Sequence, residues 1–347
     1  MLQNLFLKIY MPIFRFKNRR YLKKRNFNYI IDRFEEYGAA GLEVKKVTDH
    51  FLQNHFDAFR QGFEQLRRND ELLANGFLKS GLVFDGLENI FKDCSFDAAL
   101  EKISHLENWW EKEKSSFAGG LYALCLYHTG WIARGGGYIQ DVGKTGLNSY
   151  QGCLSKMWDV LKDSVAGSDN CLLWNLAHYK LYSDGGAGIE YLNELFCTLI
   201  ALDPDNLTHY IDHGFRLLPR WFGSSMQDVD DFARKAIEVT KEKFGCGVYA
   251  MIYSFHFRLG DNPVEETCCD FDLLNQSFDD LYQRFGGQAM VNYNIALLDW
   301  AEKYDKAYPL VNSRLTAIVP AVWNPYDVVN GLLIADLKIC HIGLHYS

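Results

Sequence analysis

Three short clusters in this sequence have residue types that could carry chemistry. Gly143-Lys144-Thr145 ends like a phosphate-binding loop, in which backbone N–H groups and a lysine cradle the phosphates of a nucleotide. That loop needs four residues between its glycines. Here five separate Gly137 from Gly143, Tyr138 stands where the first glycine belongs, and the preceding segment has a helical pattern. Gly223-Ser224-Ser225 begins like the sharp turn that exposes a nucleophilic serine, but Gln227 takes the place of the second glycine and no strand precedes it. Ser224 or Ser225 therefore reads as the N-cap of a helix beginning near Met226. His209 and His213 are four apart and share a helix face, and with Asp212 they could hold a metal. No HExxH and no third ligand accompany them, so a structural or solvent-exposed pair is expected.

The remaining chemistry-bearing residues read the same way. Adjacent acids such as Asp230-Asp231 and Glu265-Glu266 point to different sides of a helix, which makes solvated faces rather than acid/base pairs. The nine cysteines are odd in number and include no CxxC. They read as free thiols in a reducing compartment, Cys268-Cys269 included, because a vicinal disulfide is strained. The expectation is no catalytic residue, no metal and no cofactor.

Two blocks break the helical pattern: Trp131-Ile132-Ala133-Arg134-Gly135-Gly136-Gly137-Tyr138 and Leu217-Leu218-Pro219-Arg220-Trp221-Phe222-Gly223-Ser224. Each sets an arginine beside a tryptophan at a helix end. A guanidinium can stack on an aromatic face and fork onto a carboxylate at once. Two uses stay open. One is an internal brace; the other is a recognition groove made of Trp131, Arg134, Tyr138, Arg220, Trp221 and Ser224.

The elements that must position these residues are helices. Apolar residues recur at spacings of three and four nearly everywhere. Leu52, Phe56, Phe59, Phe63 and Leu66 form one stripe, with Thr48 or Asp49 as its expected cap. Phe96, Leu100, Ile103, Leu106 and Trp110 form another, capped by Ser95, and the helix through Trp131 is closed by Gly135. Breaks at 135–137, 166–170, 184–188, 203–206, 219–224, 260–263 and 286–287 are short and rich in Gly, Asp, Pro and Asn. Short links between successive helices force antiparallel hairpins. No segment sustains a period of two, so the fold class predicted is all-α: a tetratricopeptide-like helical-hairpin solenoid or array over residues 26–347, read as a single domain.

Composition narrows the function classes. Hydrophobic residues make up 48% and charged residues 23% of 347, the balance of a globular chain. Residues 1–25 hold 8 of the 36 basic residues and no acid, which leaves the body with 28 basic against 44 acidic residues, a net of −16. Such a body repels phosphate backbones, so no nucleic-acid partner is expected. Met1 to Phe14 is apolar and precedes the basic run, the reverse order of a secretory signal, and is too short to span a bilayer, which takes about 20 residues. Residues 1–25 read as a flexible leader or as a weak contact with an anionic membrane surface. The compartment expected is the cytoplasm, with membrane association at the inner face as the variant.

With the linker Ala201-Leu202-Asp203-Pro204-Asp205-Asn206, which looks like the junction between tetratricopeptide repeats, the two Trp/Arg blocks resemble a bacterial helical family of unknown function, DUF4034. The resemblance spans roughly residues 40–320 and rests on about fifteen of them; Phe222 replaces the first glycine of the second block. It implies a tetratricopeptide-like α fold and no reaction. The leading expectation is a non-enzymatic interaction module, adaptor or immunity-type, that binds a basic protein partner on a concave helical surface. The rivals are an enzyme or small-molecule binder with a pocket around Trp131, Arg134, Arg220 and Trp221, and a peripheral membrane protein anchored by residues 1–25.

Overall fold

The computed structural model describes residues 28–29, 36–92, 94–137, 139–186, 188–259, 262–319 and 322–323. The basic leader at 1–25, Tyr138 and Cys340 lie outside them. The protein is all-α, with fifteen α-helices among the described residues. Strand pairing there is limited to Asn28–Tyr29 (β1) beside Ala317–Ile318 (β2), parallel, and one bridge between Leu72 and Leu78.

The chain divides into two compact units, 37–243 and a second formed by residues up to 36 together with those from 244 onward. The sequence pattern reads as one domain because only the short Gly245-Cys246-Gly247 stretch follows Phe244, no longer than the break at 135–137. In the first unit the helices are α1 (Gly38–Leu52), α2 (Phe56–Asn69), α3 (Leu82–Lys92), α4 (Phe96–Glu113), α5 (Ser116–Arg134), α6 (Lys144–Asp163), α7 (Leu172–Gly185), α8 (Ile189–Leu202), α9 (Leu207–Arg216) and α10 (Met226–Phe244), whose last residue begins the second unit. Helix α1 packs on α2, each helix from α4 to α8 packs on the next, and α1, α3, α5 and α7 also pack in succession. Ion pairs from α7 continue that row to α9.

The caps follow the sequence reading with one correction. Ser95 accepts from the Ala98 N–H at 3.3 Å, Asn206 accepts from the Thr208 N–H at 3.1 Å, and Gly135 closes α5 at φ +72°. The stripe assigned to one helix capped at Thr48 or Asp49 is two helices. Leu52 ends α1 and is 50% exposed, and Asn54, at φ +59°, turns the chain before Phe56 opens α2. Leu52 keeps the spacing of the stripe but not its direction, which spacing alone does not reveal. The buried rings of Phe51, Phe59, Phe63 and Phe91 make the α1–α3 core.

Helix α5 runs through the core of this unit. From Phe117 to Tyr127 it is buried on all sides. Gly120 is what lets α7 cross it, since a Cβ there would lie 2.4 Å from the Trp174 backbone nitrogen.

The second unit contains α11 (Gly247–Leu259), α12 (Pro263–Glu266), α13 (Phe271–Phe285), α14 (Gln288–Trp300) and α15 (Tyr304–Ser313). Val291, Ile295, Leu298, Ala307, Val311 and Leu315 form a core there. The buried Asn292 side chain ties β2 to α14. It donates to the Ala317 carbonyl at 3.0 Å and accepts from the Val319 N–H at 3.1 Å and Trp323 Nε1–H at 2.8 Å.

Candidate functional site

Two features of the 37–243 unit gather the residues of interest. The first is a buried ion pair. Arg216, at the end of α9, lies 2.8 Å from Asp184 Oδ1 near the end of α7, and the two side chains are 7% and 2% exposed. Asp184 Oδ2 accepts from Trp131 Nε1–H and from the Tyr150 hydroxyl, both at 2.8 Å. Arg216 also donates to the Tyr127 hydroxyl at 3.4 Å, and its guanidinium sits 5.1 Å from the centre of the Trp221 ring. Burial, helped by the Asp184 charge, pushes the Tyr127 and Tyr150 hydroxyls well above their ordinary range, so both remain protonated donors. Beside this pair Lys180 bridges to Asp212 at 2.6 Å. Burial pushes the Asp212 carboxyl up, but Lys180 and Arg216 outweigh it and hold it below the usual value.

The structure separates the six residues picked from sequence. Trp131 and Trp221 meet the same ion pair from opposite ends. Arg134 stacks 4.6 Å from the Trp131 ring and donates to the carbonyls of Gly135 and Gly137, at 2.9 and 3.2 Å, so it braces the end of its own helix. Arg220 is exposed and lies over Phe215, 5.0 Å from the ring centre. Ser224 lines a different feature, the groove described next. Its backbone N–H and that of Ser225 are held by the Asp228 carboxylate. Tyr138 lies outside the described residues. Sequence reasoning missed Asp184 and Arg216, the pair that joins the two tryptophans.

The second feature is an open groove of about 530 Å³ between α8 and α10. One wall is an α8 stripe, Ile189, Asn193, Phe196 and Ile200; the other is an α10 stripe, Asp228, Phe232, Lys235 and Val239. Tyr210 and His213 of α9 and Leu217 beyond it also line it. Phe196 meets Phe232 edge-on at 5.4 Å, and Lys243 near the end of α10 pairs with Asp205 just past the end of α8. The two walls therefore run in the same direction. Asn193, Cys197 and Val239 are exposed on them, Val239 by 65%.

His213 is 2% exposed, with its ring stacked 4.3 Å from Phe196. Its Nδ1 is 3.1 Å from the Tyr179 hydroxyl and its Nε2 3.0 Å from Asn193 Oδ1. The carbonyl oxygen can only accept, so Nε2 carries the proton and Nδ1 accepts from Tyr179. Burial lowers its pKa to about 3, which keeps the ring neutral. His209 bonds inward instead, with Nε2 3.3 Å from Asp203 Oδ2, so the two histidines do not converge on a common ligand. Among the described residues no three His, Cys, Asp or Glu side chains are grouped to hold a metal, and no helix is long and apolar enough to cross a membrane.

No family model, curated protein or solved structure matches the chain.

Proposed function

We propose that the chain is a non-enzymatic interaction module of tetratricopeptide-like build, and that the groove between α8 and α10 is where it holds a protein partner. The observation that carries this reading is the pair of half-apolar helix stripes facing each other across an open gap. Two helices that leave Ile200 half-buried and Val239 65% exposed along one gap have apolar surface still to bury. Binding rather than catalysis is favoured because His213, the histidine lining the groove, is neutral with both nitrogens engaged. Its one proton is donated to Asn193 and its lone pair accepts from Tyr179. The net of −16 on residues 26–347 suits a basic partner.

Affinity capture from the native cell with the wild-type chain and with Val239→Glu tests the reading. A partner retained by the wild type and by Arg220→Ala but lost by Val239→Glu is expected. A partner retained equally by all three contradicts it.

A further inference from the structure

The groove also specifies what fills it, on the reading that it is a recognition surface. We infer that its occupant is an amphipathic α-helix of about three turns, with large aliphatic anchors along one face and a lysine or arginine at one end.

The length follows from the walls. Ile189 to Ile200 along α8, at 1.5 Å per residue, spans about 16 Å, or three turns. The shape follows from their parallel course. Two helices side by side with a third, α9, beneath leave a trough that a helix fills with residues spaced three and four apart. An extended strand would find no free sheet edge there, since all three elements are helices that satisfy their own backbone groups.

The charge follows from the ends. Asp228 and Asp231 line the groove where α10 begins, and the only charged residues of α8 are the exposed Glu190 and Glu194 in its first two turns. At the opposite end the lining is apolar, Ile200 and Val239, the nearby Asp205 is already paired with Lys243, and Lys235 stands between. A cation on the occupant is matched at the Asp228 end alone, so charge sets the direction of docking as well as partner choice.

Cys197, exposed on the α8 wall, supplies the test. Three-turn peptides, each with one cysteine held as a mixed disulfide with 2-mercaptoethanol, exchange onto the Cys197 thiolate of the full-length Cys268→Ser chain with release of 2-mercaptoethanol. The exchange is run against graded free 2-mercaptoethanol, and intact-mass and peptide mapping read the fraction held at Cys197. Three peptides are compared: leucine anchors with a terminal lysine, the same with glutamate, and the lysine peptide broken by a central proline. The lysine helix is expected to resist reduction on the order of tenfold better than the other two. Its advantage should vanish in Val239→Glu and shrink with salt or in Asp228→Asn/Asp231→Asn. Equal retention of all three peptides overturns the inference, as does a chain that self-associates through the groove and becomes monomeric in Val239→Glu. If equal retention is found while the captured native partner is still lost to Val239→Glu, the recognition surface stands and only the helical, basic occupant falls.

Discussion

Asp184 and Arg216 stand 2.8 Å apart with almost no exposure, although α7 and α9 bring them from 32 positions apart in the chain. Four further groups lean on this pair: Trp131 and Tyr150 on the carboxylate, Tyr127 and Trp221 on the guanidinium. A buried charge stripped of its counterion is costly, so Asp184→Asn and Arg216→Met should each lower stability by about 3–5 kcal/mol. The double variant should cost clearly less than their sum, because no lone charge is left. Urea unfolding of the four proteins measures this; strict additivity would show that the pair is not coupled.

The α5–α7 crossing depends on a missing side chain. A Cβ at Gly120 would lie 2.4 Å from the Trp174 nitrogen and 2.6 Å from the Leu173 carbonyl carbon, both backbone atoms that cannot swing aside. Gly120→Ala should destabilise by about 1–3 kcal/mol, the cost of forcing extra volume into a packed core. Gly152, in the exposed face of α6, has open space at the same position. Gly152→Ala should stabilise by about 0.5–1 kcal/mol through helix propensity. Thermal unfolding separates the two signs.

Stability should fall in mild acid. His213 has its pKa lowered by burial to about 3, against an ordinary 6.5. Between those values the unfolded chain takes up a proton that the folded chain refuses. Folding is therefore unaffected above about pH 7 and weakened as pH falls through 6.5 toward 3, by about 2 kcal/mol from this residue at pH 5. His128, also lowered to about 4 by burial, acts in the same sense. His213→Phe should remove close to one proton from the pH 5–6 slope of unfolding free energy; an unchanged slope would mean that the ring titrates normally.

Asn206 does two jobs at the α8–α9 junction. Its Oδ1 caps α9 and its Nδ2 donates to Asp203 Oδ2 at 2.9 Å, at 1% exposure. Asn206→Ala should cost about 1–3 kcal/mol, more than Ser95→Ala at an exposed cap, which should cost about 1 kcal/mol. Equal losses would assign no role to the Asp203 contact.

The helices and their breaks were legible because local rules set them: three-and-four spacing, Ser95 as a cap, Gly135 as a stop. The bend at Asn54 was not, since Leu52 and Phe56 preserve helical spacing across it. For Arg134 the sequence left two uses open, a brace or a groove wall, and its bonds to Gly135 and Gly137 are those of a brace. The Asp184–Arg216 pair left no trace, because two residues on separate helices have no spacing to read. The groove left a weak one. Val239 falls three positions past Ala236, on the flank of the Val229–Ala233–Ala236 stripe, and an apolar residue standing exposed beside a buried stripe was the available hint.

The central claim is that α8 and α10 form the recognition surface, and amide hydrogen exchange on the full chain, alone and with its captured partner, tests it most directly. The account predicts slowed exchange concentrated in 189–202 and 226–239, with the Trp131–Arg134 turn unchanged. Protection around Trp131 and Arg134 with α8 and α10 unaffected would contradict it.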